Sequence, residues 1–352
     1  MVNLIVVPIS FIVTLIVPVL GNISPGCLHS EGQLDLTSFP VGGTPISWIM
    51  SPGSSLFATP DYLPVTVPPY CESVHFRVPS FQRHLNTTFI GNNILVTEKV
   101  TTTQELARDF VGLMGLVVVA DQQTRGKARG GQSWSSPSGD VYMSINVNLT
   151  DRGLFPLLQS IAALSVVNSV HEKQGGYQDI DLAYVWPNSV AWNNRKVKLA
   201  GVIVEQSPID DSWFIIGIGI RLGSVSGVST LNSIVAAHNH MFGTKLEPIT
   251  REELVARVLN NLETLVEMLQ KNQNLVRDLL ASNWVSKKKT VHLSFNGIVT
   301  GINSNNELVV KDSHGIQVFI HPDLHIVSAD DTIVSSPISY SSANLNSVYE
   351  AE

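Results

Sequence analysis

The spacing of apolar positions changes several times along this chain, and each change predicts an element. Residues 94–96 and 117–120 are short aliphatic runs that read as strands, the second as a buried one, and residues 141–147 are a further strand candidate. Residues 154–171 instead set Leu157, Ile161, Leu164 and Val167 three or four apart, which is one face of a helix. Residues 102–114 predict a helix opened by a threonine cluster, because a hydroxyl can accept from the orphan N–H groups of a first turn. Residues 199–205 and 213–220 are apolar strands separated by Ser207-Pro208 and two aspartates, a hairpin pattern. Thr250-Arg251-Glu252-Glu253 has the form of a capping box, and behind it Leu254, Val258, Leu262, Leu265 and Leu269 make the stripe of a core helix. Beyond Trp284 come short strands at 291–293, 297–302, 308–311 and 316–320. Turn residues at 303–306 and 312–315 divide them, and the set predicts a small SH3-like β-barrel.

The N-terminal region follows neither period. Residues 1–20 are nearly all apolar, broken by Pro8 and Pro18, and no Lys or Arg precedes Arg77. A secretory leader wants a basic start and a mitochondrial one wants arginine, so neither is expected. Three readings stand: a signal-like anchor that leaves membrane association open, a buried strand pair, or a stretch left from an upstream domain. Residues 21–75 are rich in Gly, Pro and Ser and are expected to be loop or linker with a few short strands. The expected organisation is an N-terminal extension at 1–75, a main domain at 76–285, a small β domain at 286–328 and a disordered tail at 329–352.

Composition narrows the function. With 352 residues, 44% hydrophobic and 14% charged, the chain can bury a sizeable core. A net charge of −7 gives no footprint for nucleic acid, and the absence of basic residues before Arg77 excludes a basic DNA-reading N-terminus. Cys27 and Cys71 make no disulfide framework and have no metal-site spacing, which fits a reducing compartment. The triplets at 86–88 and 148–150 fit a glycosylation sequon, but such triplets are common by chance. His238 and His240 have no carboxylates at ligand spacing, so no metal is assigned to them.

The chemistry concentrates in the segment 123–134, Gln-Thr-Arg-Gly-Lys-Ala-Arg-Gly-Gly-Gln-Ser-Trp, which follows the apolar run at 116–120. Glycine loses the most backbone entropy on ordering, so such a loop has little reason to fold alone. Lys127 and Arg129 can give charge-assisted hydrogen bonds to an anion, and glycines let backbone N–H groups approach it. Further motifs follow in order. Thr101-Thr102-Thr103-Gln104 opens a helix, Val185-Trp186-Pro187-Asn188-Ser189 follows a Tyr-Gln-Asp-Ile-Asp-Leu stretch, and residues 195–205 run Arg-Lys-Val-Lys-Leu-Ala-Gly-Val-Ile-Val-Glu. Ile216-Gly217-Ile218-Gly219-Ile220 and then Trp284-Val285 complete the set. Together they resemble the biotin–protein ligases, and the form is closest to the animal holocarboxylase synthetases. The resemblance covers residues from about 76 to about 327.

That resemblance implies an α+β fold: a mixed β-sheet catalytic domain flanked by helices, biotin/lipoate ligase-like and related to class II synthetases, with the small C-terminal barrel. It implies ATP-dependent activation of biotin to biotinyl-5′-adenylate, followed by transfer to a lysine of a carboxylase's biotin carboxyl carrier domain. By resemblance, Thr102, Thr103, Gln123, Gly126, Lys127, Arg129 and Trp134 contact biotin. Arg129, Gly130, Gly131, Trp134, Asn188 and Lys198 contact the nucleotide, and Lys198 and Arg129 are the catalytic cations. Mg²⁺ is expected with the ATP, and a cytoplasmic or mitochondrial location is expected for the reaction. Four positions depart from the family pattern: Val185 stands where the family has Lys, Ser189 where it has Asp, Arg221 where it has Asn, and Ala128 where it has a glycine. Three functions therefore stay open: an active ligase, a biotin-binding pseudoenzyme that no longer makes the adenylate, and a lipoate or octanoate transferase.

Overall fold

Aliphatic runs at the centre of the chain assemble the middle of one large sheet. In the computed structural model four short strands come first: β1 (Ile12–Leu15), β2 (Gly26–Ser30), β3 (Ile46–Ile49) and β4 (Leu63–Thr66). After helix α1 (Val78–Gln82) come β5 (Asn93–Val100), α2 (Thr103–Arg108), β6 (Val117–Gln123), β7 (Val141–Asn148), α3 (Phe155–His171), β8 (Leu182–Val185) and β9 (Ser189–Trp192). Then follow β10 (Val197–Gln206), β11 (Trp213–Ile220), α4 (Leu231–Phe242), α5 (Arg251–Lys271) and α6 (Gln273–Asn283). The chain continues with β12 (Thr290–His292), β13 (Asn296–Ile302), β14 (Leu308–Asp312), β15 (Gln317–Ile320), β16 (Ile326–Val327) and β17 (Val334–Ser335).

The structure describes residues 75–149, 151–192, 197–224, 228–283, 298–312 and 314–322, with backbone alone for the strand residues at 12–15, 26–30, 46–49, 63–66, 290–292, 296–297, 326–327 and 334–335. Arg195, Lys196, Trp284, Val285 and Cys71 lie outside the described residues, as does the expected disorder of the tail apart from 334–335.

The chain divides between Val285 and Ser286 into two units. In the first, eleven strands run in the order β3-β4-β1-β2-β5-β6-β7-β11-β10-β9-β8. β5 and β6 are parallel, joined through α2, whereas β6 to β7, β7 to β11 and β11 to β10 are antiparallel. The backbone of β1 pairs with β2, and β2 with β5, so part of the N-terminal region joins the sheet. The β10–β11 hairpin forms with Gly201 opposite Gly219 and Ile203 opposite Gly217.

α3 is buried nearly all round, packed on α5 and on β8 to β11, although its sequence pattern predicted a single apolar face. Its serines turn inward without cost because Ser165 and Ser169 donate to carbonyls one turn back, at 2.8 and 2.7 Å. By length and hydropathy this segment would also pass for a membrane span, but 72% of it is buried inside the fold. α5 begins as expected at Thr250, whose Oγ1 accepts from the Glu253 N–H at 3.3 Å. Only half of the capping box forms, because the Glu253 carboxylate is drawn off to Lys173 at 2.5 Å and Arg257 at 3.0 Å. α2 is shorter than the expected 102–114 helix. Its end is held from the side: Asn146 Nδ2 donates to Ala107 O in the helix and to Phe110 O just beyond it, both at 2.9 Å, and Gly112 then turns the chain at a φ of 107°.

The second unit carries four antiparallel strands in chain order, β12-β13-β14-β15. Val299, Leu308, Val310 and Ile320 fill one side. Among the described residues this is an open sheet, so the expected barrel closure is not formed by them.

Candidate active site

Helix α2 starts beside the end of β6, and this junction builds a buried, neutral cluster. Thr102 Oγ1 caps the helix by accepting from the Gln104 N–H at 3.1 Å. The Thr103 N–H donates to Gln123 Oε1 at 2.9 Å, and the Thr103 hydroxyl lies 2.9 Å from Ser144 Oγ on β7. Ser144 spends its one proton on Gln104 Oε1 at 2.9 Å, so Thr103 donates to Ser144. Gln104 Nε2 then donates to Ile215 O at 2.9 Å on β11. Gln123 Nε2 donates to Ser136 Oγ at 3.0 Å, and Ser136 donates to Trp134 O at the same distance. Thr102, Thr103, Gln104 and Ser144 are at most 3% exposed. A dry chain of satisfied dipoles like this polarises itself and resists rearrangement. The Thr103 and Ser136 hydroxyl oxygens keep spare acceptor capacity, which suits a neutral polar ring better than an ion.

The glycine-rich segment leaves this cluster as a short hairpin. Trp134 N donates to Gly126 O at 2.8 Å, Ala128 N donates to Gln132 O at 2.7 Å, and Lys127 pairs with Ser133. Arg129–Gly131 forms a 3₁₀ turn at the exposed tip, where Gly130 and Gly131 hold left-handed φ values of 67° and 74°. The expectation of a loop with little reason to fold alone is corrected: these backbone bonds offset the glycine entropy, and the glycines sit where the turn needs positive φ. Gly126 is required for a different reason. A Cβ there would lie 2.4 Å from Trp134 O and 2.5 Å from Ser136 Oγ.

The hairpin carries Trp134 back onto β10 and β11. A Cβ on Gly219 would meet the indole Nε1 at 2.8 Å, and one on the opposing Gly201 would meet its ring at 3.0 Å. These two cross-strand glycines are therefore a flat floor for the indole. Gly217, two residues along the same face, makes room for Gln104, whose Oε1 would lie 2.5 Å from an added Cβ. The Gly-Ile-Gly pattern of β11 thus serves both halves of the site.

Two cations lie over this indole, and the charge of a third, Arg129, reaches Lys198. Lys198 Nζ is 5.6 Å from the ring centre and the Arg221 guanidinium carbon is 5.5 Å from it. Residues three apart on a regular strand face opposite ways, but the register of β10 against β9 shifts between Lys198 and Ala200. Lys198 Cε consequently lies 3.5 Å from the place of a Gly201 Cβ. Burial first, and then the charges of Arg129 and Arg221, hold the Lys198 ammonium below the usual lysine range. Because much of the Lys198 side chain is exposed, the two guanidiniums are the firmer cause. Asp140 fixes the turn after Arg221, with Oδ1 accepting from the N–H groups of Leu222, Gly223 and Ser224 at 2.9, 3.2 and 3.0 Å. Asp121 anchors the segment behind Trp134, taking Ser138 at 2.5 Å and Arg251 at 2.6 Å.

The sequence-predicted residues thus fall into groups. Thr102, Thr103, Gln123 and Gly126 meet in the neutral cluster, while Lys198 lies at the Trp134 indole and feels the charge of Arg129 from the loop tip. Gly130 and Gly131 form the loop tip. Lys127 is exposed and pairs with Glu105 at 2.8 Å. Burial raises the Glu105 carboxyl, but hydrogen bonds from Lys127 and Thr101 with the charges of Lys127 and Arg108 outweigh it and leave the group below its usual value. Asn188 is buried beside β10 and spends its amide on Val202 O at 2.6 Å. Trp186 is buried. Sequence reasoning missed Ser136, Ser144 and the side chain of Gln104. One signal was present: a serine in the middle of the apolar run at 141–147 is a buried polar group that needs a partner.

Residues 96–221 match the model of the Biotin/lipoate A/B protein ligase family. The chain is 30% identical over 311 residues to a biotin–protein ligase of Homo sapiens, an overlap covering 84% of this chain and 42% of that protein. It is 26% identical over 275 residues to a biotin–protein ligase of Schizosaccharomyces pombe, covering 68% of this chain and 44% of that protein. The chain therefore spans less than half the length of these two relatives. Among solved structures it is similar to the biotin protein ligase of Aquifex aeolicus in complex with biotin and ATP. The TM-score is 0.52 at 20% identity, over 65% of this chain and 96% of that one, a likeness of fold.

Proposed function

Residues 96–221 are a domain of the Biotin/lipoate A/B protein ligase family, and from that premise we propose that the chain is an ATP-dependent biotin–protein ligase of the eukaryotic type. An oxygen of the biotin carboxylate attacks the α-phosphorus of ATP, the bond to the β-phosphate oxygen breaks, and pyrophosphate leaves. The ε-amine of a carrier-domain lysine then attacks the biotinyl carbonyl, loses a proton and expels AMP. A carboxylate approaching a triphosphate must overcome like-charge repulsion, so cations aimed at the developing charge lower the barrier.

The observation that carries this reading is the adjacency of two chemically distinct halves on one pair of strands. Gly217 receives Gln104 of the neutral cluster, and Gly219 receives the indole over which Lys198 and Arg221 lie, with the Arg129 charge acting on Lys198. We assign the ureido ring to the Thr103, Gln123 and Ser136 side and the reacting anions to Lys198 and Arg129. Gly126, Gly130 and Gly131 shape the hairpin that we read as covering the ligand and keeping water from the anhydride. The second unit is read as the small C-terminal barrel domain, supported by four consecutive antiparallel strands. We place the reaction in the cytoplasm, with carboxylase carrier domains as protein substrates.

Mg²⁺ finds no protein ligand set among the described residues. A magnesium ion wants hard oxygen donors. Ser189 and Val185 offer no carboxylate, Asp140 is committed to three N–H groups, Asp121 to Ser138 and Arg251, and Glu205 to Arg108. No group of three His, Cys, Asp or Glu converges among those residues. No step is therefore routed through a protein-held metal.

A second reading, a pseudoenzyme that binds biotin without activating it, is favoured by one observation: the Asn188 amide is occupied by Val202 O and by the Ser189 hydroxyl. Pyrophosphate release with biotin and ATP separates the two. Biotin-dependent release followed by labelling of a carrier domain establishes the ligase; biotin binding with no release selects the pseudoenzyme. Competition between biotin and lipoate disposes of the lipoate-transferase alternative if lipoate fails to displace biotin.

A further inference from the structure

The cation cluster around Trp134 holds one group that the proposed reaction has not used. Arg221 leaves the end of β11, and its guanidinium lies over the same indole as Lys198. Its backbone is fixed on both sides: Arg221 N donates to Leu199 O at 2.8 Å and Arg221 O accepts from Leu231 N at 2.8 Å. The next three N–H groups converge on the buried Asp140 carboxylate. Among the described residues its guanidinium makes one long hydrogen bond to protein, from Nη1 to Lys198 O at 3.4 Å. A guanidinium carries five N–H donors in a rigid fork, so most of its donor capacity remains. Among the described residues neither Lys198 nor Arg221 pairs with a carboxylate. Two like charges on one indole repel, and cation–π attraction of about 0.5–2 kcal/mol each is a weak offset for that. The arrangement becomes favourable when an anion of several charges enters. Asp140, Asp121 and Glu205 are engaged elsewhere, and no group of three His, Cys, Asp or Glu converges among the described residues.

We propose that Arg221 is a phosphate-binding residue, and that with Lys198 and Arg129 it forms a seat for the polyphosphate of a nucleoside triphosphate in which guanidinium and ammonium groups stand where a carboxylate-held metal ion would otherwise neutralise charge. The identification of the anion as a nucleotide polyphosphate rests on the ligase reading; the seat itself rests on the geometry of Lys198 and Arg221 at one indole, with the Arg129 charge acting on Lys198. Arg221 is preorganised for this role by the Asp140 clamp, and its planar fork can grip two phosphate oxygens at once.

The test uses the full chain and inorganic tripolyphosphate, at fixed ionic strength and with EDTA present, followed by calorimetry. Wild type is expected to bind, Arg221→Gln to bind about tenfold more weakly or worse, and Arg221→Lys to fall between, because it keeps the charge and loses the fork. Lys271→Gln, which removes an exposed cation paired with Glu267, is expected to match wild type. Thermal melting checks that each variant is folded. In parallel, biotin-dependent pyrophosphate release is measured against ATP and against Mg²⁺. Arg221→Gln is expected to raise the KM for ATP about tenfold, to leave the KM for biotin unchanged, and to need more Mg²⁺ for half-maximal rate. If wild type binds tripolyphosphate through Arg221 but releases no pyrophosphate, the ligase reading fails and the seat stands. If Arg221→Gln matches wild type in both tripolyphosphate binding and ATP dependence, the seat is overturned whatever the enzyme does.

Discussion

The two halves of the site are opposites built on one hairpin. The Thr103–Gln104–Ser144 cluster is neutral, almost fully buried, and closed on itself by hydrogen bonds of about 2.9 Å. The Trp134 platform is partly exposed and carries Lys198 and Arg221 on one ring with Arg129 close enough to act on Lys198. The first half is complete before any ligand arrives, because a buried polar group left unpaired would cost about 1–3 kcal/mol. The second half is electrostatically incomplete, and completing it takes anionic charge. The difference teaches where selectivity and rate arise. A self-satisfied neutral pocket selects by shape and hydrogen bonding, whereas an under-neutralised cationic platform gains most when negative charge builds up beside it.

Breaking the platform is expected to have the largest effect. Lys198→Ala should slow adenylate formation on the order of 100-fold or more, with thermal stability changed by roughly 0.5 kcal/mol or less, as for an exposed position. Pyrophosphate release and a melting curve measure the two; full activity would mean that Lys198 does not touch the reaction. Next in size is Gly219→Ala, which keeps every charge but pushes the indole, since the added Cβ would lie 2.8 Å from Nε1. Displacing a positioning group by about 1 Å can cost roughly 100-fold. The loss should fall on ATP turnover, with biotin binding by calorimetry nearly intact.

The neutral half predicts the reverse pattern. Ser144→Ala strands Gln104 Oε1 and leaves the Thr103 hydroxyl only its longer bond to Gln123 Oε1 at 3.3 Å, and we expect biotin affinity to fall by about 1–3 kcal/mol while the KM for ATP stays near wild type. A smaller effect concerns pH. The Lys198 ammonium works only while protonated, and its pKa is held below the ordinary lysine value of about 10.4 by burial and by Arg129 and Arg221. Activity should therefore fall on the alkaline side at a lower pH than an unperturbed lysine would give. Arg221→Gln removes one like charge, so in a pH–rate profile normalised to each protein's maximum the limb should move upward. The smallest effect is expected from Lys127→Ala. Its ion pair with Glu105 is solvent-exposed, and such pairs contribute about 0–1 kcal/mol. A large loss of biotin affinity there would move the ligand-binding role out along the loop.

Much of this division was legible in the sequence, because local pattern carried it. The β10–β11 hairpin follows from two apolar runs around Ser207-Pro208, and α5 follows from its leucine stripe. Thr102, Thr103 and Gln123 were singled out by the family resemblance; of their setting, only the threonine-opened helix start was a local feature of the sequence. Gln104 and Ser144 could not be joined that way, since their bond spans 40 residues and depends on which strand lies beside β7. The glycine floor was likewise invisible: Gly201 and Gly219 face each other only through the hairpin register, and Trp134 reaches them from another segment. α2 reads as longer than it is because Asn146, a residue of β7, ends it from outside. The second half of the Thr250 capping box failed for the same kind of reason, a competing partner, Lys173, just beyond α3.

The most direct measurement is biotin-dependent exchange of labelled pyrophosphate into ATP by the full chain, without a carrier domain. Exchange that needs biotin and drops about 100-fold in Lys198→Ala is the predicted result. Biotin binding by wild type with no exchange above the no-biotin background would contradict it.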